Sequence, residues 1–171
     1  MTEQVHDFMD GRGPVPAHRH TNGGGWIANT AIVSENACVS GNACVSGSAH
    51  VSENARVSEN ACVSGNAYVY ENARVYGSAY VYGSAYVSGS AYVYGNAYVS
   101  ITPFRCGRTD GYDFILVRDR RRRCWIVIAG CRYFTFAKAR AHWTATRAGT
   151  PLGDETFAIL DYLERCSRIE R

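Results

Sequence analysis

Valine returns every sixth residue without a slip, from Val33 to Val99, and an alanine stands two places before each, from Ala31 to Ala97. One unit earlier the same places hold Gly25 and Ile27. The consensus reads Ala-x-Val-Ser/Tyr-Gly/Glu-Asn/Ser. A six-residue period matches no α-helical face, and Gly and Asn would interrupt a helix at every second turn. Ala-x-Val is instead a three-residue alternation that sends Ala and Val to one side and x to the other. The Gly/Glu-Asn/Ser pair is turn chemistry, because Gly and Asn tolerate the positive φ of a tight corner. Strands with two apolar groups each are too short to close a sandwich of hairpins. The remaining solution is a three-sided prism with eighteen residues per coil, its coils stacked at ~4.8 Å. Residues 26–100 then supply about four coils, a stack of roughly 20 Å with Val inside and Ala keeping the interior narrow.

An eighteen-residue coil sorts side chains into vertical columns. The outward position before Val reads Ile32, His50, Tyr68, Tyr86 on one side, Cys38, Arg56, Arg74, Tyr92 on the next, and Cys44, Cys62, Tyr80, Tyr98 on the third. The position after Val brings Tyr70, Tyr76, Tyr82 and Tyr94 into the later coils and serines into the earlier ones. Two readings of these tyrosines stand side by side. Aromatic ladders stabilise exposed strands, and a row of tyrosines also makes a partner-binding or oligomer surface. Glu35, Glu53 and Glu71 fall in one corner column, read as a solvated corner rather than a cation site. Asn36, Asn54 and Asn72, with Asn42 and Asn60, read as structural corner ladders.

The Asn-Ala-x-Val-Ser/Tyr-Gly unit resembles the hexapeptide-repeat, left-handed parallel β-helix proteins of bacterial and prophage type. The lead-in Pro14-Val15-Pro16-Ala17-His18-Arg19-His20 with Asn22-Gly23-Gly24-Gly25-Trp26 is similar to one found in such proteins. The likeness covers about residues 11–100. It implies a left-handed coil, where general chain physics favours right-handed crossovers. It also suggests a prophage-type protein that interferes with a host system such as a nuclease defence complex. Acyltransferases of the hexapeptide family build an inter-subunit cleft from a histidine and a loop thrown out of the coil. Here no loop breaks the register between Trp26 and Ser100, and His50 is the one histidine of the repeats. An acyltransferase is therefore the second reading, and a purely structural or oligomerising protein the third.

The two ends change character. Residues 1–25 form a lead-in and cap, in which Gly23-Gly24-Gly25 lets the chain turn into the first coil and Trp26 covers apolar surface. His18 and His20 share a side of an extended segment, but no third metal ligand accompanies them. Residues 101–171 predict a small ββαα module that caps the coil. Its apolar runs Tyr112–Arg118 and Cys124–Gly130 flank a basic hairpin tip, Asp119–Arg123. Helices are expected over Thr135–Trp143, with Thr135 as N-cap, and over Asp154–Arg168. This third of the chain carries fourteen Arg/Lys against eight Asp/Glu, whereas the rest is slightly acidic.

Any attraction to an acidic partner must therefore arise here. The candidate patch is Arg120, Arg121, Arg122 and Arg123, widened by Arg118, Arg132 and Arg140. It reads either as a solvated tip or as a contact for phosphates or acidic protein. Cys106, Cys124, Cys131 and His142 match no zinc spacing, and the seven cysteines read as reduced thiols. No nucleotide-binding or nucleophile motif occurs, and no cofactor or metal is expected. No signal peptide or membrane span is evident, which points to the cytoplasm of a bacterial host. The chain is thus expected to be a mainly β, non-catalytic binding protein. Its partners would be a protein or protein–nucleic-acid complex, or further copies of itself in a dimer or trimer.

Overall fold

Every x-Val pair of the repeat lies in a strand of two residues, or of three at Ala97–Val99, and each pairs in parallel with the strand eighteen residues away. Ile32 lies beside His50, Cys38 beside Arg56 and Cys44 beside Cys62, and the register holds to Tyr80 beside Tyr98. The computed structural model describes residues 4–169, which divide into two compact units between Thr102 and Pro103. The first unit is a parallel β-solenoid of about four coils. Two of its sides are four-stranded sheets that start at Ile32–Val33 and Cys38–Val39. The third side runs from Trp26–Ala28 through Cys44–Val45, Cys62–Val63 and Tyr80–Val81 to Ala97–Val99.

Burial follows the alternation. Each Ala and Val of the repeat from Ala37 to Val99 is at most 3% exposed, so the interior is a column of methyl groups. Ala31 and Val33, at the open start of their sheet, are only half-buried, whereas Val39, which also starts a sheet, is covered by hydrogen bonds to Asn22 and Gly25 of the lead-in. Gly25 replaces alanine in the irregular first unit for a steric reason: a Cβ there would lie 2.5 Å from Val39 Cγ1.

Each corner is a four-residue turn closed by an amide-to-carbonyl bond, as from Ala37 to Ser34 at 3.1 Å and from Ala61 to Ser58 at 3.2 Å. From Gly41 onward, positive φ falls on the residue after Ser/Tyr and not on the Asn or Ser that follows it. Gly65 has φ of 68° and Gly83 of 65°, while Glu53, Glu59 and Glu71 adopt 59°, 63° and 60°. Sequence reasoning gave this conformation to Gly and Asn. In the structure either Gly or Glu occupies the strained position, and Asn keeps an ordinary φ. The Asn corner ladder is realised directly between Asn42 and Asn60, whose side-chain amides bond at 3.1 Å.

The lead-in is built as sheet rather than as a loop. Val15–Arg19 pairs antiparallel with Trp26–Ala28, and Val5–His6 pairs antiparallel with Val15–Arg19. Phe8, Ala17 and Ala28 are buried together between these strands, with Val15, Trp26 and Cys44 packed around them. His20 lies beneath the coil, where its Nε2 donates to the Ala37 carbonyl at 2.9 Å, whereas His18 Nδ1 bonds Asn29 Oδ1. The two imidazoles therefore serve different partners.

The second unit has more strand than the expected pair. Arg105–Gly107, Asp113–Asp119, Cys124–Ala129 and Arg132–Phe134 form one antiparallel meander. Helix α1 (Phe136–Arg147) and helix α2 (Pro151–Ile169) pack on it. Their shared core holds Phe114, Leu116, Val127, Trp143, Leu160 and Leu163. Thr135 caps α1 as expected, accepting the Lys138 amide at 3.4 Å. Helix α2 begins three residues earlier than expected. Pro151 suits a first helical position, and Thr150 Oγ1 accepts the Gly153 amide at 3.1 Å. Gly153 is needed inside this helix, because a Cβ there would collide with the Arg147 carbonyl oxygen.

Candidate functional site

The basic hairpin tip is organised by its one acidic residue. Asp119 is 1% exposed. Its Oδ1 accepts the amides of Arg121 and Arg122 at 2.9 and 2.8 Å, and its Oδ2 accepts the Tyr133 hydroxyl at 3.1 Å. The Arg123 amide bonds the Asp119 carbonyl at 2.8 Å, with Arg123 itself at φ 55°. A carboxylate that satisfies successive amides fixes the turn, so the tip does not wander under its own repulsion. The side chains of Arg118, Arg120, Arg121, Arg122 and Arg123 all reach solvent. Arg118 lies over the Trp125 ring at 4.2 Å, on the residue directly across the hairpin. Arg122 reaches back to the Asp119 carboxylate at 3.7 Å. Five exposed arginines thus stand at one end of the meander, on a turn whose buried carboxylate accepts two of their backbone amides and lies near the guanidinium of Arg122.

Two other residues expected in the same patch lie elsewhere. Arg132 pairs with Ala129, at the far end of the hairpin from the Asp119–Cys124 pair. Five residue steps at ~3.4 Å put it roughly 17 Å away. Arg140, on α1, is already neutralised: one of its nitrogens lies 2.7 Å from both Asp161 and Glu164 of α2. These carboxylates raise the Arg140 pKa above its ordinary value, Glu164 first. Arg140 thus ties the two helices together.

The tyrosines form ladders within their columns. His50, Tyr68 and Tyr86 stack at 4.6 and 4.8 Å with interplanar angles of 9° and 2°. Tyr76 and Tyr94 stack at 5.0 Å, Tyr80 and Tyr98 at 5.7 Å, and Tyr82 lies 4.4 Å from Tyr98 at a tilt. Arg74 sits over the Tyr92 ring at 5.4 Å, and Tyr70 is half-buried in its corner. These spacings match the distance between coils, so ring faces meet ring faces and solvent meets mainly edges and hydroxyls. Tyr86 is the most open, at 46% exposure. His50 is half-buried with one face against Tyr68, so its imidazole is part of a stack.

Cys44 and Cys62, neighbours in their column, bring their sulfurs to 2.8 Å. The thiol–thiol hydrogen bond, then burial, then the charge Cys62 would carry push the Cys44 pKa far above the ordinary thiol range. Both the hydrogen bond and burial disfavour the Cys44 thiolate, the form that nucleophilic attack would need. Cys124 opens the strand Cys124–Ala129 and Cys131 lies in the turn beyond its far end, and among the described residues no three metal-ligating side chains converge. Among the described residues no helix is long and apolar enough to cross a membrane.

Two organising residues escaped sequence reasoning. Asp119 carried a usable signal, an Asp directly before a run that must turn. Arg108 carried none: its side chain is 3% exposed, forked onto Asp110 at 2.9 and 2.7 Å and bonded to Thr156 at 2.9 Å, a partner in a helix 48 residues on. No family model matches the sequence, and neither a curated protein nor a solved structure shows significant similarity to it.

Proposed function

We propose that the chain is a non-catalytic binding protein that engages an acidic partner, a protein or protein–nucleic-acid complex, through the arginine tip of its C-terminal meander. The observation that carries this reading is the cost of the tip itself. Five exposed arginines are gathered on and beside one turn, which a buried carboxylate holds in place through its backbone amides so that they do not disperse. Such an arrangement is destabilising alone and becomes favourable against phosphates or carboxylates, which guanidinium groups bind in pairs of parallel hydrogen bonds. The resemblance to prophage-type solenoids extends the proposal to interference with a host nuclease complex. The acyltransferase alternative gains less support, because His50 is engaged in an aromatic stack and every coil keeps its register.

The test is capture of partners from a bacterial lysate by the full chain, comparing wild type with a variant carrying Arg120→Ala, Arg121→Ala, Arg122→Ala and Arg123→Ala. Partner capture should fall at least tenfold in the variant and weaken as salt shortens the Debye length below ~10 Å. Equal capture by the two proteins would contradict the reading.

A further inference from the structure

The C-terminal unit holds a polar hollow of about 420 Å³ that the arginine tip does not use. It lies between the meander and α1, with Tyr112 and Trp143 as aromatic walls and Thr146 at its edge. Three guanidinium groups line it, those of Arg108, Arg132 and Arg147, together with the imidazole of His142. One carboxylate, Asp110, lines it with them. That carboxylate is committed to Arg108 by a two-point fork, and this contact, followed by the Tyr112 amide and the charges of Arg108 and Arg147, holds its pKa below the ordinary value against the opposing effect of desolvation.

The neighbouring acidic groups are also engaged. Asp113 is forked onto Arg105 at 3.1 and 2.7 Å, and Glu155 accepts the amide and hydroxyl of Thr109, both at 2.7 Å. Among the described residues Arg132 and Arg147 form no ion pair, and the His142 imidazole makes ring contacts, with Phe134 at 5.3 Å and Trp143 at 5.4 Å, while its carbonyl accepts the Thr146 hydroxyl at 2.8 Å. The hollow therefore carries about two uncompensated positive charges on a wall kept rigid by a buried arginine. Its volume lies within the range usual for small-ligand sites.

We propose that this hollow binds the phosphate monoester group of a small organic molecule, with Arg132 and Arg147 gripping the phosphate and His142 beside them. A monoester carries close to two negative charges near neutral pH and matches the two unpaired guanidinium groups. A nucleic-acid diester carries one per phosphate and is suited to an exposed ridge rather than a recess. The remaining volume admits the attached organic group against Tyr112 and Trp143.

Titration calorimetry of the full chain with ribose 5-phosphate tests this, with ribose and a duplex oligonucleotide lacking terminal phosphates as comparison probes. Saturable binding of ribose 5-phosphate is expected at a Kd below ~1 mM, with no binding of ribose. Arg132→Ala and Arg147→Ala should each weaken it by about tenfold, and the paired tip variants Arg121→Ala and Arg123→Ala should leave it unchanged. The last comparison separates this site from the tip, whose failure as a partner surface would not touch it. Should either hollow variant fold poorly, wild-type NMR decides: ribose 5-phosphate must shift the Trp143 indole and His142 ring signals and leave the tip amides in place. Absence of saturation up to ~10 mM, binding insensitive to both hollow variants, or oligonucleotide displacing the monoester from the hollow would each overturn the proposal.

Discussion

Glu53, Glu59 and Glu71 sit where the backbone favours glycine, and the glycines at the same corner position in the neighbouring column show why glycine is the better occupant. A Cβ on Gly65 would meet the Gly83 backbone nitrogen at 2.9 Å and its oxygen at 3.1 Å, and Gly65 holds φ at 68°. Replacing Gly65 with Ala should therefore destabilise the coil by about 2 kcal/mol, from left-handed strain plus the clash. Replacing Glu53 or Glu71 with Gly should do the reverse, raising stability by roughly 0.5–1 kcal/mol at each corner. Urea midpoints of the three variants check both signs. The valine and alanine interior was legible because its period is unbroken, and burial follows that period from Ala37 to Val99. The residue that takes positive φ was less legible. Gly, Glu, Asn and Ser all appear in the corners, and only backbone geometry says which of two adjacent positions bends.

Among the elements, the N-terminal strands and the hairpin tip each hang on one side chain. His6 stacks on Trp26 at 4.4 Å, with Arg19 over the same ring at 4.1 Å. Burial first, and Arg19 second, depress its pKa below the ordinary 6.5, against an opposing pull from Asp7. A base with a depressed folded pKa is protonated more readily in the unfolded chain. Its stabilising contribution is complete above pH 6.5 and is lost as pH falls from there through the folded value. His6→Phe should keep the stack and flatten that part of the stability profile relative to wild type; parallel profiles would disprove the assignment. At the tip, Asp119→Ala should cost about 2 kcal/mol by orphaning the amides of Arg121 and Arg122 and the Tyr133 hydroxyl. Amide exchange at Arg121 and Arg122 should accelerate with it, and unchanged exchange would mean the turn stands without its carboxylate.

The hairpin itself and both helices were legible, since their apolar runs are long and bounded by turn residues. The short strands Arg105–Gly107 and Arg132–Phe134 were not. They are three-residue segments whose conformation comes from pairing with the hairpin rather than from their own composition. The early start of α2 was missed for a related reason: Thr150-Pro151-Leu152-Gly153 reads as a loop, yet Pro and a Thr cap also open helices, and Gly153 is required by close contact with Arg147.

For the whole molecule, the eighteen-residue coil decides which side chains become neighbours, and the candidate surfaces of the first unit follow from it. The columns read from the sequence are the columns of the structure, including the mixed one in which His50 stacks beneath Tyr68 and Tyr86. The arrangement of arginines in the second unit was legible only in part. The contiguous four could not be separated by any fold, but Arg132 and Arg140 are placed by strand register and helix packing that no local pattern encodes. Methyl-resolved NMR of the full chain with labelled valine tests the coil most directly. The account predicts through-space contacts linking valines eighteen residues apart, such as Val57 with Val75 and Val63 with Val81, in an unbroken ladder. Contacts of an antiparallel hairpin pattern, or valine methyls open to solvent along residues 39–99, would contradict it.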